Sequence, residues 1–385
     1  MSMKTLKIYI EPASLPLTQQ LNNYVQSIDD ENVFSVLILG RLKLNNAALV
    51  NGRTVFSYNV NEYLPQKLDS VAKFIANKKD YTIEIHTNII HETVILVPLL
   101  QRVLPKIPLK QLKLHLYDDG TGTIIQRVMI GRFDGKLLRK MMRERSEVFQ
   151  HLLMMNKPLG SWEWNIADNY IWHYFIDTKY YLLEPFYNKT VKNHFFDELQ
   201  PSIIPLSYKE GDISLLSNNG IWDRLLNIPE DLRVRLSAIA KYRDATLFLT
   251  TFYPDIRKRA AHHQAMLRKI TELKSSGMLP NETSIIYKGH PANHELNHEL
   301  CTALGNNITV LPDNIPLEYL HTQRLLPKNI AGCFGTSFFS MKDKNVKFVI
   351  MNGDKHCDEN IMNIEIIQMY SNFDTDKIIY LEESS

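Results

Sequence analysis

The feature that most constrains this chain is a recurrence of short apolar runs, each followed by a longer amphipathic stretch. In the first half the runs fall at residues 6–10, 33–39, 82–85 and 112–116; in the second half they fall at 246–249, 284–287, 308–311, 346–350 and 378–381. They are rich in Ile, Leu and Val. Strand-length runs alternating with helix-length segments read as βαβ units and a parallel sheet. A long stretch, 135 to about 244, separates the two series and is mostly helical in pattern. The expected class is therefore α/β, with two doubly wound Rossmann-like domains facing a cleft and ligands held where strand C-termini meet it. The boundary is expected at 172/173, in the aromatic-rich segment 162–181, which reads as a crossover. Residues 1–172 then form one domain and 173–372 the other, with 373–385 packing back on the first.

Composition narrows the function. The 385 residues carry 44 basic and 42 acidic side chains, a net charge of +2. A nucleic-acid partner would need a concentrated basic footprint, so none is expected. Cys301, Cys333 and Cys357 are odd in number and lie far apart, which suits a reducing compartment and argues against a disulfide framework. Charges interrupt the N-terminal apolar residues, and the run at 94–100 is too short to span a bilayer. The expectation is a cytoplasmic protein.

Three polar clusters follow predicted strands. Tyr117-Asp118-Asp119-Gly120-Thr121 places adjacent carboxylates at a strand end, where the turn can present one acid to a ligand. The same residues also make an ordinary Asp-Gly turn with a capping side chain. Lys288-Gly289-His290-Pro291 joins a cation, a residue permitting close backbone approach, a His and a Pro suited to a first helical turn. Such a His can hold a phosphate, with free backbone N–H groups helping. The third cluster, Gly332-Cys333-Phe334-Gly335-Thr336-Ser337, is a small-residue turn whose hydroxyls could cradle an anion.

Taken together and in this order, the clusters resemble the bacterial sialyltransferases of glycosyltransferase family 80, which are marked by YDDGS-like, KGHP and paired Ser-Ser/Thr motifs. Further likeness lies in the opening segment 9–16, the Arg-bearing loop Gly40-Arg41-Leu42-Lys43, and 307–320 with Asn314-Ile315-Pro316-Leu317-Glu318. The resemblance implies a two-Rossmann (GT-B) fold, CMP-sialic acid as donor, inversion at the anomeric carbon, and no metal or other cofactor. It implies Asp119 as general base and His290 as partner of the leaving phosphate. Glu318 would hold the ribose, Thr336 and Ser337 the phosphate, and Lys288, Gly289 and Pro291 would flank the cytosine. Arg41, His91 and Asp118 would face the acceptor, expected to be a galactoside-terminated glycan of a lipooligosaccharide or capsule. The first domain would then carry acceptor and base, the second the donor, in a bacterial protein acting as a monomer.

The chain departs from the family in two places. Spacing from Leu325-Leu326-Pro327 sets the Ser-Ser pair against Gly335-Thr336, one residue earlier than Thr336-Ser337. The family's mobile Trp has no counterpart in Thr250-Thr251-Phe252-Tyr253-Pro254-Asp255, where Phe252 or Tyr253 would stand in and the loop would close on nucleotide binding. Other readings stay open. Asp118 and Asp119 could ligate a metal in a different sugar transferase, or the chain could bind glycan or nucleotide without catalysis. His290, His294 and His298 recur every four residues, a spacing that can hold zinc, although a solvated helix face suits them better. The basic stretch 136–145 reads as a solvated face over Leu137, Leu138, Met141 and Met142, or as a helix lying on the inner membrane surface.

Overall fold

The computed structural model describes residues 4–11, 14–39, 45, 54–59, 65–90, 95–155, 159, 162–183, 194–211, 219–251, 257, 259–290, 294–313 and 315–381. Arg41, His91, Phe252, Tyr253 and Pro291 lie outside them. Among the described residues, strands sort into two sheets whose pairings are all parallel. The first holds β1 (Lys4–Glu11), β2 (Val33–Leu39), β3 (Thr54–Asn59), β4 (Tyr81–Asn88), β5 (Leu112–Tyr117), β6 (Asp177–Leu183) and β7 (Ile203–Leu206), in the order β3-β2-β1-β4-β5-β6-β7. The second holds β8 (Thr246–Leu249), β9 (Ile285–Lys288), β10 (Thr309–Val310), β11 (Asn329–Cys333), β12 (Asn345–Asn352) and β13 (Ile378–Leu381), in the order β10-β9-β8-β11-β12-β13.

Parallel neighbours cannot be joined by a tight hairpin, so the chain returns through helices. In the first unit these include α1 (Ser14–Gln26), α2 (Pro65–Ala76), α3 (Leu96–Val103), α4 (Thr121–Gly131), α5 (Gly135–Met154), α6 (His194–Leu199) and α7 (Asn219–Leu226). In the second they are α8 (Glu230–Ile239), α9 (Arg259–Ser275), α10 (His294–Leu304), α11 (Leu317–Thr322), α12 (Ser337–Ser340) and α13 (Asp358–Tyr370). Strand order reverses between β1 and β4 in one sheet and between β8 and β11 in the other. Loops leave such a point in opposite directions and open a crevice at the strand C-termini. Each sheet has its own core. Leu6, Ile8, Ile83, Ile85, Leu112 and Leu114 are buried in the first, and Phe248, Ile285, Tyr287, Ala331 and Ile350 in the second.

The expected α/β class and doubly wound architecture hold, but the boundary moves. The two compact units are Met1–Ser207 with Asn218–Asn227, and Tyr208–Ser217 with Ile228–Ser385. The segment read as a crossover contains β6, which extends the first sheet by pairing with β5. Thr178, Tyr180 and Leu182 alternate into the core, a period-2 signal masked by aromatic residues on both faces. The C-terminal strand β13 belongs to the second unit, where it pairs with β12.

Helix α5 forms because Asp134 accepts hydrogen bonds from the backbone N–H groups of Lys136 (2.9 Å) and Leu137 (3.1 Å), a cap worth about 1 kcal/mol. It buries Leu138, Met142, Phe149 and Leu153, but leaves Leu137 and Met141 exposed, so only half of the expected apolar set faces inward. Its Arg143 pairs with Glu198 and its Arg145 with Asp168. Among the described residues, no helix is long and apolar enough to cross a membrane.

One face of the first sheet is polar yet buried. The Tyr9, His86 and His115 rings stack in one cross-strand row, at 4.7 Å and then 4.3 Å between centroids. The Tyr117 hydroxyl lies 2.8 Å from Nδ1 of His86, and the Tyr181 hydroxyl 3.0 Å from Nδ1 of His115. Burial holds His86 well below the usual imidazole range, and burial with Lys7, Lys113 and Lys179 nearby lowers His115 to about 4. Between about pH 6.5 and 4, then, the unfolded chain takes up protons that the folded chain refuses, and stability falls as pH falls. His115→Gln should remove roughly 2 kcal/mol of the stability lost between about pH 7 and 4.5, measured by urea unfolding. Equal losses in the two proteins would contradict this account.

Candidate active site

The turn after β5 divides labour between its two acids. Asp118 is fully buried. Its Oδ2 accepts from Nη2 of Arg127 on α4 at 2.8 Å and from the backbone N–H of Leu183 at 2.9 Å. Its Oδ1 accepts from the Thr123 hydroxyl and from the Gly120 N–H. Burial alone would lower the Arg127 pKa, but Asp118 and Tyr170 hold it above its usual value. Asp118 thus ties together the ends of β5 and β6 and the start of α4. With both oxygens committed inside the protein, it has no capacity left for an acceptor. These bonds give Asp118 a structural role, and they count against the acceptor role implied for it and against a metal held by both acids. Gly120 makes the turn possible, since its φ of 109° would strain any residue with a side chain.

Asp119, next along, is partly exposed. The Asn88 amide at the end of β4 donates to its Oδ1, while the Asn88 oxygen accepts from the Ile90 N–H at 2.7 Å. Asn88 is fully buried and so serves as a fixed arm holding Asp119. Sequence reasoning missed it. Its signal was a polar residue ending an apolar strand next to the strand that carries the acids.

In the second unit, candidate residues gather at the ends of β9 and β11 and on α11. The backbone N–H of His290 donates to the Thr250 hydroxyl at 3.1 Å, and its carbonyl accepts from Nδ2 of Asn297 on α10 at 2.8 Å. Lys288 turns inward, where its ammonium donates to the Pro312 carbonyl at 2.6 Å. Burial lowers its pKa to about 8, against the pull of Asp313 and Glu318. Its side chain therefore braces the loop that follows β10. A cavity of about 250 Å³ beside the turn is lined by Tyr287, Gly289, Asn297, Cys301, Leu311 and Asp313 among others.

Glu318 on α11 is buried, which raises its pKa, and accepts from the Ser340 hydroxyl at 3.0 Å. Ser340 closes α12, which Thr336 and Ser337 open, so one bond links the expected ribose and phosphate groups. Thr336 and Ser337 are both partly exposed. His298 is exposed on α10, and His290 precedes that helix. The side chain of His294 lies outside the described residues.

Among the described residues, Glu84, His86 and His115 do place potential ligand atoms within 4.8 Å of one another. However, the two imidazoles are stacked only 11° from parallel. An ion bonded at about 2 Å should lie in the plane of each ring, and these planes converge only far away. The lysines around them add positive charge. The cluster reads as a buried ring stack.

Residues 6–378 match the family model described as Sialyltransferase PMO188. The chain belongs to this sialyltransferase family. It is a glycosyltransferase with the GT-B fold that the resemblance implied. The chain superposes on the GT-B domain of a sialyltransferase from Photobacterium damselae with a TM-score of 0.77, at 18% identity over 98% of this chain and 99% of that one. An α/β-galactoside α-2,3-sialyltransferase from Photobacterium phosphoreum gives 0.72 at 17% identity, covering 98% of each chain. A 2,6-sialyltransferase from Photobacterium sp. JT-ISH-224, solved with CMP and lactose, gives 0.74 at 15% identity over 98% of this chain and 78% of that one. No curated protein sequence matches the chain.

The division between the two acids has a direct consequence. Asp118→Asn leaves Arg127 as an uncompensated buried charge and should cost on the order of 3–5 kcal/mol in denaturant unfolding. Asp119→Asn should cost less than about 1 kcal/mol, in the range of surface substitutions. Equal stabilities would show that Asp118 is not the anchor.

Proposed function

We propose that this sialyltransferase-family enzyme transfers sialic acid from CMP-sialic acid to a hydroxyl of a terminal galactoside, with inversion and without a metal. The observation that carries the reading is the contrast between the adjacent acids. One is spent on structure, and the other is held at a strand end with part of its surface in solvent. A single presented carboxylate suits a general base, whereas a two-acid metal site would need both.

In the reaction, the acceptor oxygen bonds to the anomeric carbon while the bond from that carbon to the phosphate oxygen breaks. The acceptor proton passes to Asp119, and the bonding electron pair leaves with CMP. Charge therefore grows on the phosphate as the sugar gains oxocarbenium character. His290, with the hydroxyls of Thr336 and Ser337, would stabilise that charge. Glu318 would accept from the ribose hydroxyls, and the cavity beside Gly289 would take the base. The Lys288 side chain contributes by bracing the 312–313 segment. Arg41, His91 and Pro291 keep their implied acceptor and donor roles within this proposal, as does a closing 250–255 loop.

The test is incubation with CMP-sialic acid and lactose. Release of CMP with formation of a sialylated product is expected, unchanged by EDTA, and product analysis would assign an α-2,3 or α-2,6 linkage. Asp119→Asn should lower the rate on the order of 10²-fold or more and leave CMP affinity nearly intact. Turnover abolished by EDTA would favour a metal-dependent transferase. CMP binding with neither transfer nor hydrolysis would favour a binding protein.

A further inference from the structure

We infer that Asn297 is a positioning residue for His290, gripping its backbone so that the imidazole is presented to the donor in one orientation. The inference rests on the role given to His290 above and extends it to a residue on a different element. His290 follows β9 and precedes α10, so regular secondary structure holds neither of its backbone polar groups. Two side chains hold them instead. Its N–H donates to the Thr250 hydroxyl at 3.1 Å, and its carbonyl accepts from Asn297 Nδ2 at 2.8 Å.

The Thr250 hydroxyl then donates to Asn297 Oδ1 at 3.2 Å, closing a ring of hydrogen bonds around His290. The Tyr287 hydroxyl donates to the same oxygen at 3.1 Å. These contacts fix the amide orientation, because the His290 carbonyl needs a donor and the two hydroxyls share an acceptor. The backbone of the turn is also pinned to β8, where the Thr250 N–H donates to the Lys288 carbonyl at 3.2 Å.

The same side chain explains Gly289. A Cβ there would fall 2.4 Å from Asn297 Cγ and Nδ2, so the turn can pass beneath the amide only without a side chain. Asn297 also lines the cavity beside the turn. It thus joins the wall of the proposed base pocket to the backbone of the residue proposed to meet the phosphate. An aspartate is nearly the same shape but can only accept. It would keep Thr250 and Tyr287 as donors while losing, and repelling, the His290 carbonyl.

The experiment compares wild type, Asn297→Asp, His290→Ala and the double variant. The readouts are kcat/KM for sialyl transfer to lactose, melting temperature, and hydrogen exchange over residues 288–290. Asn297→Asp should lower kcat/KM about tenfold or more, as expected for one lost hydrogen bond and an added repulsion. In the His290→Ala background the same change should alter it less than about twofold, because coupled residues are not additive. Exchange in the turn should quicken about tenfold with little change in melting temperature. An equal rate penalty in both backgrounds would mean that Asn297 supports the fold generally, and would overturn the inference. Unchanged exchange would overturn it too. If wild type transfers no sialic acid, the reading of function fails instead, and exchange alone still decides whether the grip exists.

Discussion

Burying a carboxylate costs several kcal/mol unless a cation and further donors surround it. Asp118 meets that condition with Arg127, two backbone N–H groups and the Thr123 hydroxyl. The bond to Leu183 fastens β6 beside β5, and the bonds to Thr123 and Arg127 start α4 in a set direction. The turn between is left with one course, through Gly120 at positive φ, and that course carries Asp119 outward. Exposure of the second acid is thus a consequence of the burial of the first.

The second unit uses the same device with neutral groups. Where a strand ends, backbone N–H and C=O groups lose their ladder partners and must be satisfied by other means. At the end of β9 the partners are Thr250 and Asn297, each reaching from a neighbouring element. At the end of β4, Asn88 satisfies the Ile90 N–H and holds Asp119 with its other atom. In both units a buried or half-buried amide converts an unavoidable backbone requirement into the placement of a chemically active side chain.

The stacked imidazoles show how pattern and geometry can diverge. Two histidines and a glutamate in neighbouring strands have the composition of a metal site. The two imidazoles are near-parallel, partnered by tyrosines and surrounded by lysines, and they form the neutral centre of a sheet face packed against α1. The cost of keeping them neutral is paid at low pH.

Much of the fold could be read from the chain. Apolar runs of strand length separated by helix-length segments led to parallel sheets in two units, and the three strand-end clusters pointed to chemistry at strand C-termini. The domain boundary was not legible, because Tyr180 and Tyr181 carry the β6 alternation in residues equally suited to a loop, and only pairing with β5 reveals it. Nor could sequence order say which of Asp118 and Asp119 is spent. That depends on Arg127, nine residues on, and on Leu183, 65 residues on. Asn88 and Asn297 were invisible for the same reason: an amide has no motif of its own, and its role comes from the backbone brought beside it. Local pattern, set by side-chain polarity along the chain, determined which elements form and where the active residues sit on them. Tertiary structure alone decided which polar atoms are consumed inside the protein and which remain for a substrate, because burial and hydrogen-bond partners are properties of packing.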